Sequence, residues 1–186
     1  MFAYKGFNNK LQCTRGAGVF QYEVGKWYKE DQANCAKNGF HCCENPLDCL
    51  TYYSWDGNNI FCIVEIRGDI HEDSNERISA TEIRVVKKLE LFDFLLHACA
   101  FIQKHPKREN LRNVKLNTGE ALSNDKFVVV RGKSPKAAGP QGCYLVLLKE
   151  FSDSNEIEEI HIVQVDNEKN IKPNKLYTVS ELEVVE

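Results

Sequence analysis

The chain has 186 residues, 42% of them hydrophobic, and a formal net charge of −3. That length and apolar content suffice for a real core in one domain or two small modules. No segment approaches the roughly 20 apolar residues of a membrane span, and a charge so close to balance excludes a strongly basic or acidic protein.

Met1-Phe2-Ala3-Tyr4-Lys5-Gly6-Phe7 alternates like a strand and lacks the apolar run of a signal peptide, so a cytoplasmic protein without a membrane partner is expected. The eight cysteines (13, 35, 42, 43, 49, 62, 99 and 143) contain no Cys-x-x-Cys pair and are expected as reduced, mostly buried thiols. A zinc site from Cys35, His41, Cys42 and Cys49 fits no common ligand spacing, so no metal is assigned.

In chain order, residues 2–7 read as a strand and 20–28 as an extended segment turning at Gly25. A short helix is expected over 31–37, closed by Asn38-Gly39, with Gly39 in the left-handed cap conformation. Residues 40–43 form a strand or extended link. A second helix is expected over 46–54. Asn45 caps it, Pro46 fills its first position and Asp48 faces the positive end of its dipole. That arrangement sets His41, Cys42 and Cys43 at a helix N-terminus, a favourable place for an anion and one that would activate a thiol.

Asp56-Gly57-Asn58-Asn59 is a turn, residues 60–66 a buried strand ending near Gly68, residues 69–77 an acidic loop, and 83–86 another strand. Phe92, Leu95, Leu96 and Cys99 follow i, i+3, i+4, i+7, which predicts an amphipathic helix over 91–103 ended by His105-Pro106. Beyond residue 108 the strands are 127–130, 144–148, 160–165 and 176–179, with a loop at 133–140.

Charge is unevenly spread. Residues 1–100 hold 11 basic and 14 acidic groups, residues 101–141 hold 9 and 3, and residues 142–186 hold 4 and 10. The basic middle has only Phe101 and Phe127 for base stacking. It reads as a solvated linker attracted to its acidic neighbours, with nucleic acid disfavoured as a partner. The expected fold is therefore α+β: an N-terminal module of mixed strands and short helices (1–108), a basic linker (109–141) and a small antiparallel β module (142–186).

Several motifs carry a resemblance. Tyr4-Lys5-Gly6-Phe7, Phe20-x-Tyr22-x-x-Gly25-Lys26-x-Tyr28, Gly39-Phe40-His41-x-Cys43-Glu44-Asn45-Pro46-Leu47-Asp48 and Val64-Glu65-Ile66-x-Gly68 resemble an uncharacterised protein family common in bacteriophages and prophages. So do Gly142-x-x-Leu145-Val146-Leu147 and Ile171-Lys172-Pro173-Asn174-x-x-Tyr177. Many relatives carry tandem repeats between the two ends, and Leu116-Asn117-Thr118-Gly119-Glu120-Ala121 looks like a remnant of one. The resemblance implies a phage or prophage origin and supplies no reaction.

The N-terminal part is also distantly similar to mono-ADP-ribosyltransferases in its order of Tyr4-Lys5-Gly6, Gly39-Phe40-His41 with a following helix, and Glu82 before Ile83. That similarity implies an ADP-ribosyltransferase-like fold with NAD as cofactor. NAD would be bound by Tyr4, Lys5 and His41 with Tyr52 or Tyr53 stacked on nicotinamide, and Glu82 would stabilise the oxocarbenium-like state. The departures are plain: Lys5 replaces the usual arginine or histidine and has no planar fork, and Ala80 stands where a second carboxylate is usual.

The leading expectation is thus a non-enzymatic, phage-derived binding or assembly module, with no cofactor and with an unidentified protein, or a second copy of itself, as partner. The alternative is an NAD-dependent mono-ADP-ribosyltransferase-like enzyme. A weaker third is a nucleic-acid binder acting through Arg108, Arg112 and Lys115.

Overall fold

Strand alternation governs most of this chain, including stretches whose composition suggests loops. The computed structural model describes residues 1–15, 18–35, 37–73, 77–108 and 112–182. They divide into two compact units, Met1–Ala98 and Cys99–Glu186, with the division falling inside a helix.

The first unit contains β1 (Phe2–Asn8), β2 (Gln12–Cys13), β3 (Phe20–Gln21), β4 (Trp27–Lys29) and β5 (Phe40–Cys42). A 3₁₀ turn (Pro46–Thr51), β6 (Asn59–Asp73), β7 (Arg77–Leu89) and the start of α1 (Leu91–Lys104) follow. The sheet runs β1-β6-β7-β4, and β5 pairs with a separate stretch of β7. All these pairings are antiparallel. Tyr4 and Cys43 exchange both backbone hydrogen bonds at 2.8 Å. The hydrogen-bonded path β1-β6-β7-β5 therefore closes back on β1, which covers an edge that would otherwise stay open. Inside lie Ala3, Phe7, Tyr22, Phe40, Cys42, Val64, Ile66, Ile78, Ile83 and Val85, all buried. At about 1.5–3 kcal/mol for each large apolar side chain, this cluster is the main stabilising element of the unit.

The second unit contains β8 (Val114–Glu120), β9 (Phe127–Ala138), β10 (Tyr144–Glu150), β11 (Ile157–Gln164), β12 (Tyr177–Thr178) and α2 (Val179–Leu182). Its sheet runs β11-β10-β9-β12 with β8 also on β9. β8 and β10 lie parallel to β9, whereas β11 and β12 pair antiparallel with their neighbours. The continuous apolar run Val128-Val129-Val130 in β9, buried throughout, marks a central strand covered on both faces.

The structure corrects the α+β expectation: the fold is β-rich, built from three sheets with few, short helices. Over 31–37 no helix forms among the described residues. The Asn34 carbonyl instead accepts from Lys37 and Asn38 in a tight turn, as befits a segment too short to repay helix nucleation. The helix expected over 46–54 is a six-residue 3₁₀ turn with the Asn45 cap in place.

Residues 69–73, read as loop, extend β6 against β7, while 74–76 lie outside the described residues. Gly68 does not end β6 but bends it: at φ +79° it sits in a register shift, and a Cβ there would meet Thr81 Oγ1 at 2.1 Å. Residues 109–141, expected as a linker, supply β8 and the central β9, and the module expected as antiparallel is mixed.

In α1 the buried stripe is Phe94, Leu95, Ala98 and Ile102, and Phe92 and Leu96 are exposed. The Phe94 ring packs on Trp55 and Phe61. Among the described residues no helix is long and apolar enough to cross a membrane.

Candidate ligand-binding site

Lys5 is the anomaly from which the site is built. Alternation along β1 points Ala3, Lys5 and Phe7 to the same, apolar side, and Lys5 is only 7% exposed. Its Nζ lies 5.7 Å from the Phe7 ring centroid and 5.9 Å from that of Tyr22, and donates to the His41 carbonyl. Among the described residues no carboxylate comes within ion-pair distance of it.

Lys5 lines a cavity of about 540 Å³ inside the first unit. Among the described residues its charged lining holds Lys5, Arg15, Lys37 and Arg77 with one carboxylate, Glu30, which accepts from the Gly39 N–H at 2.9 Å. Its aromatic wall holds Tyr4, Phe20, Tyr22, Phe40, Tyr52 and Tyr53. The positive field registers on His41, a half-buried lining residue. Burial lowers its pKa below the ordinary histidine value, and the charges of Lys5 and Arg77 lower it further.

The wall is fixed by close approach. A Cβ on Gly6 would sit 2.7 Å from the Tyr53 ring, so glycine is what lets that ring lie on β1. Tyr53 Oη accepts from the Thr14 N–H at 3.1 Å and lies 3.8 Å from Cys13 Sγ, tying the β2 end to the cavity. Arg15 Nε donates to the Tyr52 carbonyl at 3.1 Å. Phe20 stands at 4.8 Å from Tyr22, 5.4 Å from Tyr28 and 5.8 Å from Phe40, centroid to centroid.

Of the residues singled out from sequence, Tyr4, Lys5, His41 and Tyr52 all line this cavity. Tyr4 is partly committed elsewhere, since its hydroxyl meets His97 Nδ1 at 2.9 Å. Glu82 does not line it. Its carboxylate faces its cross-strand neighbours, 2.6 Å from Arg67 Nε and 3.7 Å from Lys29 Nζ, and the Arg67 bond holds its pKa below the usual range. Arg67 in turn stacks on Trp27 at 3.8 Å. Glu82 thus belongs to a charge ladder on the sheet, apart from the cavity that Tyr4, Lys5, His41 and Tyr52 line.

The thiols are free and mostly buried, as expected. Cys42 and Cys49 line the cavity, but burial pushes Cys42 up to about 12 and raises Cys49 well above the ordinary thiol value, so both stay protonated at neutral pH. The expected helix N-terminus offers no anion seat either: the Leu47 N–H is taken by Asn45 Oδ1 at 3.1 Å and the Asp48 N–H by the Asn45 carbonyl. Among the described residues no group of three or more metal-ligating side chains is assembled.

Sequence reading missed Arg15, Phe20, Tyr22, Glu30, Lys37 and Arg77, which come from loops and strand ends far apart in the chain. A signal did exist for Lys5: a lysine between Ala3 and Phe7 in an alternating strand must face inward.

No curated protein and no solved structure matches the chain. A family described as Domain of unknown function (DUF7666) matches residues 1–97, the whole of the first unit but its last residue. The chain therefore belongs to that family, and its cavity lies within the matched residues.

Proposed function

We propose that the first unit is a binding domain for a small anionic ligand, whose charged group is received by Lys5. The observation that carries this reading is a buried ammonium, on the wall of a ligand-sized cavity, without a carboxylate partner among the described residues. Desolvating an ammonium costs several kcal/mol, and the cost is recovered only when an opposite charge joins it. Arg15 and Lys37 on the same cavity add to the attraction, and 540 Å³ falls within the ordinary range for small-molecule sites. The binding module expected from sequence is kept, with a small molecule in place of a protein partner. With Cys42 and Cys49 protonated and Glu82 on the charge ladder, recognition is the chemistry the cavity supports best.

The test is calorimetric titration of the full chain with ribose 5-phosphate, on wild type, Lys5→Met and Lys37→Ala. Binding to wild type, lost in Lys5→Met and weakened several-fold in the exposed Lys37→Ala variant, supports the reading. Equal heats in wild type and Lys5→Met, or no binding at millimolar ligand, would overturn it.

A further inference from the structure

Resting on that anion site, we infer that the ligand is a nucleoside phosphate, its base stacked on Phe20 and its phosphate directed to Lys5. Phe20 is 40% exposed although its ring touches Tyr22, Tyr28 and Phe40. Those contacts are edge-to-face or tilted, at 57° to 77° between planes. The ring is therefore held by an aromatic array without being covered by it, and it lines the cavity, where a planar group can lie on it.

Tyr22 is the ring that Phe20 and Lys5 share. The Phe20 centroid lies 4.8 Å from it and Lys5 Nζ 5.9 Å. Platform and ammonium thus adjoin the same ring on one cavity, so a ligand with a ribose between phosphate and base can engage both. Exposed aromatics beside cations are the general means by which proteins hold nucleotides without base-specific hydrogen bonds. The charge count points to phosphate over a lone carboxylate. Among the described residues Lys5, Arg15 and Lys37 line the cavity with one acid, Glu30, which suits a group carrying close to two negative charges at neutral pH.

The experiment compares AMP, ribose 5-phosphate and adenosine by calorimetry on the full chain, using wild type, Phe20→Leu and Lys5→Met. Phe20→Leu keeps an apolar side chain at an exposed position while removing the ring. Expected is AMP binding about tenfold or more tighter than ribose 5-phosphate. Phe20→Leu should abolish the preference for AMP over ribose 5-phosphate, bringing the ratio of their affinities to about one, and Lys5→Met should remove both. Equal binding of AMP and ribose 5-phosphate, insensitive to Phe20→Leu, would overturn the nucleoside inference and leave the anion site standing. Adenosine binding as tightly as AMP would overturn the anion site itself, and so would the absence of any phosphate binding.

Discussion

Each unit buries one basic side chain beside a cavity, and the two are solved in opposite ways. In the second unit Arg131, 5% exposed, is fully engaged: its Nε donates to Glu150 at 2.5 Å and its Nη2 to the carbonyls of Pro106 at 2.5 Å and Asn155 at 2.6 Å. In the first unit Lys5, equally buried, has one carbonyl and two aromatic rings. A guanidinium fork can satisfy a carboxylate and two carbonyls at once, whereas an ammonium offers a compact charge that a diffusible anion can complete. Burial of a cation is therefore no sign of a site by itself. What distinguishes the two is whether the fold supplies the counter-charge.

That contrast breaks most directly at Glu150. Glu150→Gln leaves Arg131 buried without its carboxylate and should cost about 3–5 kcal/mol, read by urea denaturation of the full chain. Lys5→Met, which removes a buried charge and keeps an apolar stem, should stay within about 1 kcal/mol of wild type because the lost bond to the His41 carbonyl is offset by relief of desolvation. If both substitutions proved equally costly, Lys5 would be as structural as Arg131.

The next effect tests whether the cavity wall is rigid. Gly6→Ala drives a methyl group into a Tyr53 ring anchored at Thr14, and overpacking of this kind costs about 1–3 kcal/mol. A fully stable Gly6→Ala variant would show that the ring swings away freely and that the aromatic wall is not preformed.

Local signals in the sequence were legible where a single residue decides the geometry. Asn45 and Pro46 announce their turn, and the apolar periodicity of 91–103 announces α1, because caps and helix faces are short-range. What failed was the choice of partner strands. Residues 69–73 are acidic yet extend β6, since backbone pairing with β7 does not ask what the side chains carry. The pattern of β9 ends at Val130 because Gly132, Lys133 and Pro135 look like loop, although pairing with β8 and β12 carries the strand to Ala138. The site shows the same division: Tyr4, Lys5 and His41 sit in motifs, while Arg15, Lys37 and Arg77 join them only through the tertiary fold.

The legible cap gives a smaller prediction. Asn45→Ala removes the acceptor for the Leu47 N–H and the donor to Asp48 Oδ1, both buried, and should cost about 1 kcal/mol. Because this turn carries Cys49, Tyr52 and the Tyr53 ring into the cavity, the loss should be accompanied by weaker AMP binding. A stability loss with unchanged AMP affinity would show that the turn supports the fold and not the site.

The finest probe of the comparison is the titration of His41. Its folded pKa lies below the ordinary 6.5 through burial first and the Lys5 charge second. The unfolded chain therefore takes up the proton first. The His41 contribution to stability is complete above pH 6.5 and is lost as pH falls from 6.5 towards the folded pKa, because there the unfolded state binds more protons. Followed by NMR through the His41 ring proton, Lys5→Met should raise this pKa towards the ordinary value without reaching it, since burial remains. A bound phosphate should raise it too, by placing negative charge beside the imidazole. An Arg131 substitution in the second unit should leave it alone. If Lys5→Met left the His41 titration unmoved, the Lys5 charge would not be felt in the cavity, and the anion site would lose its physical basis.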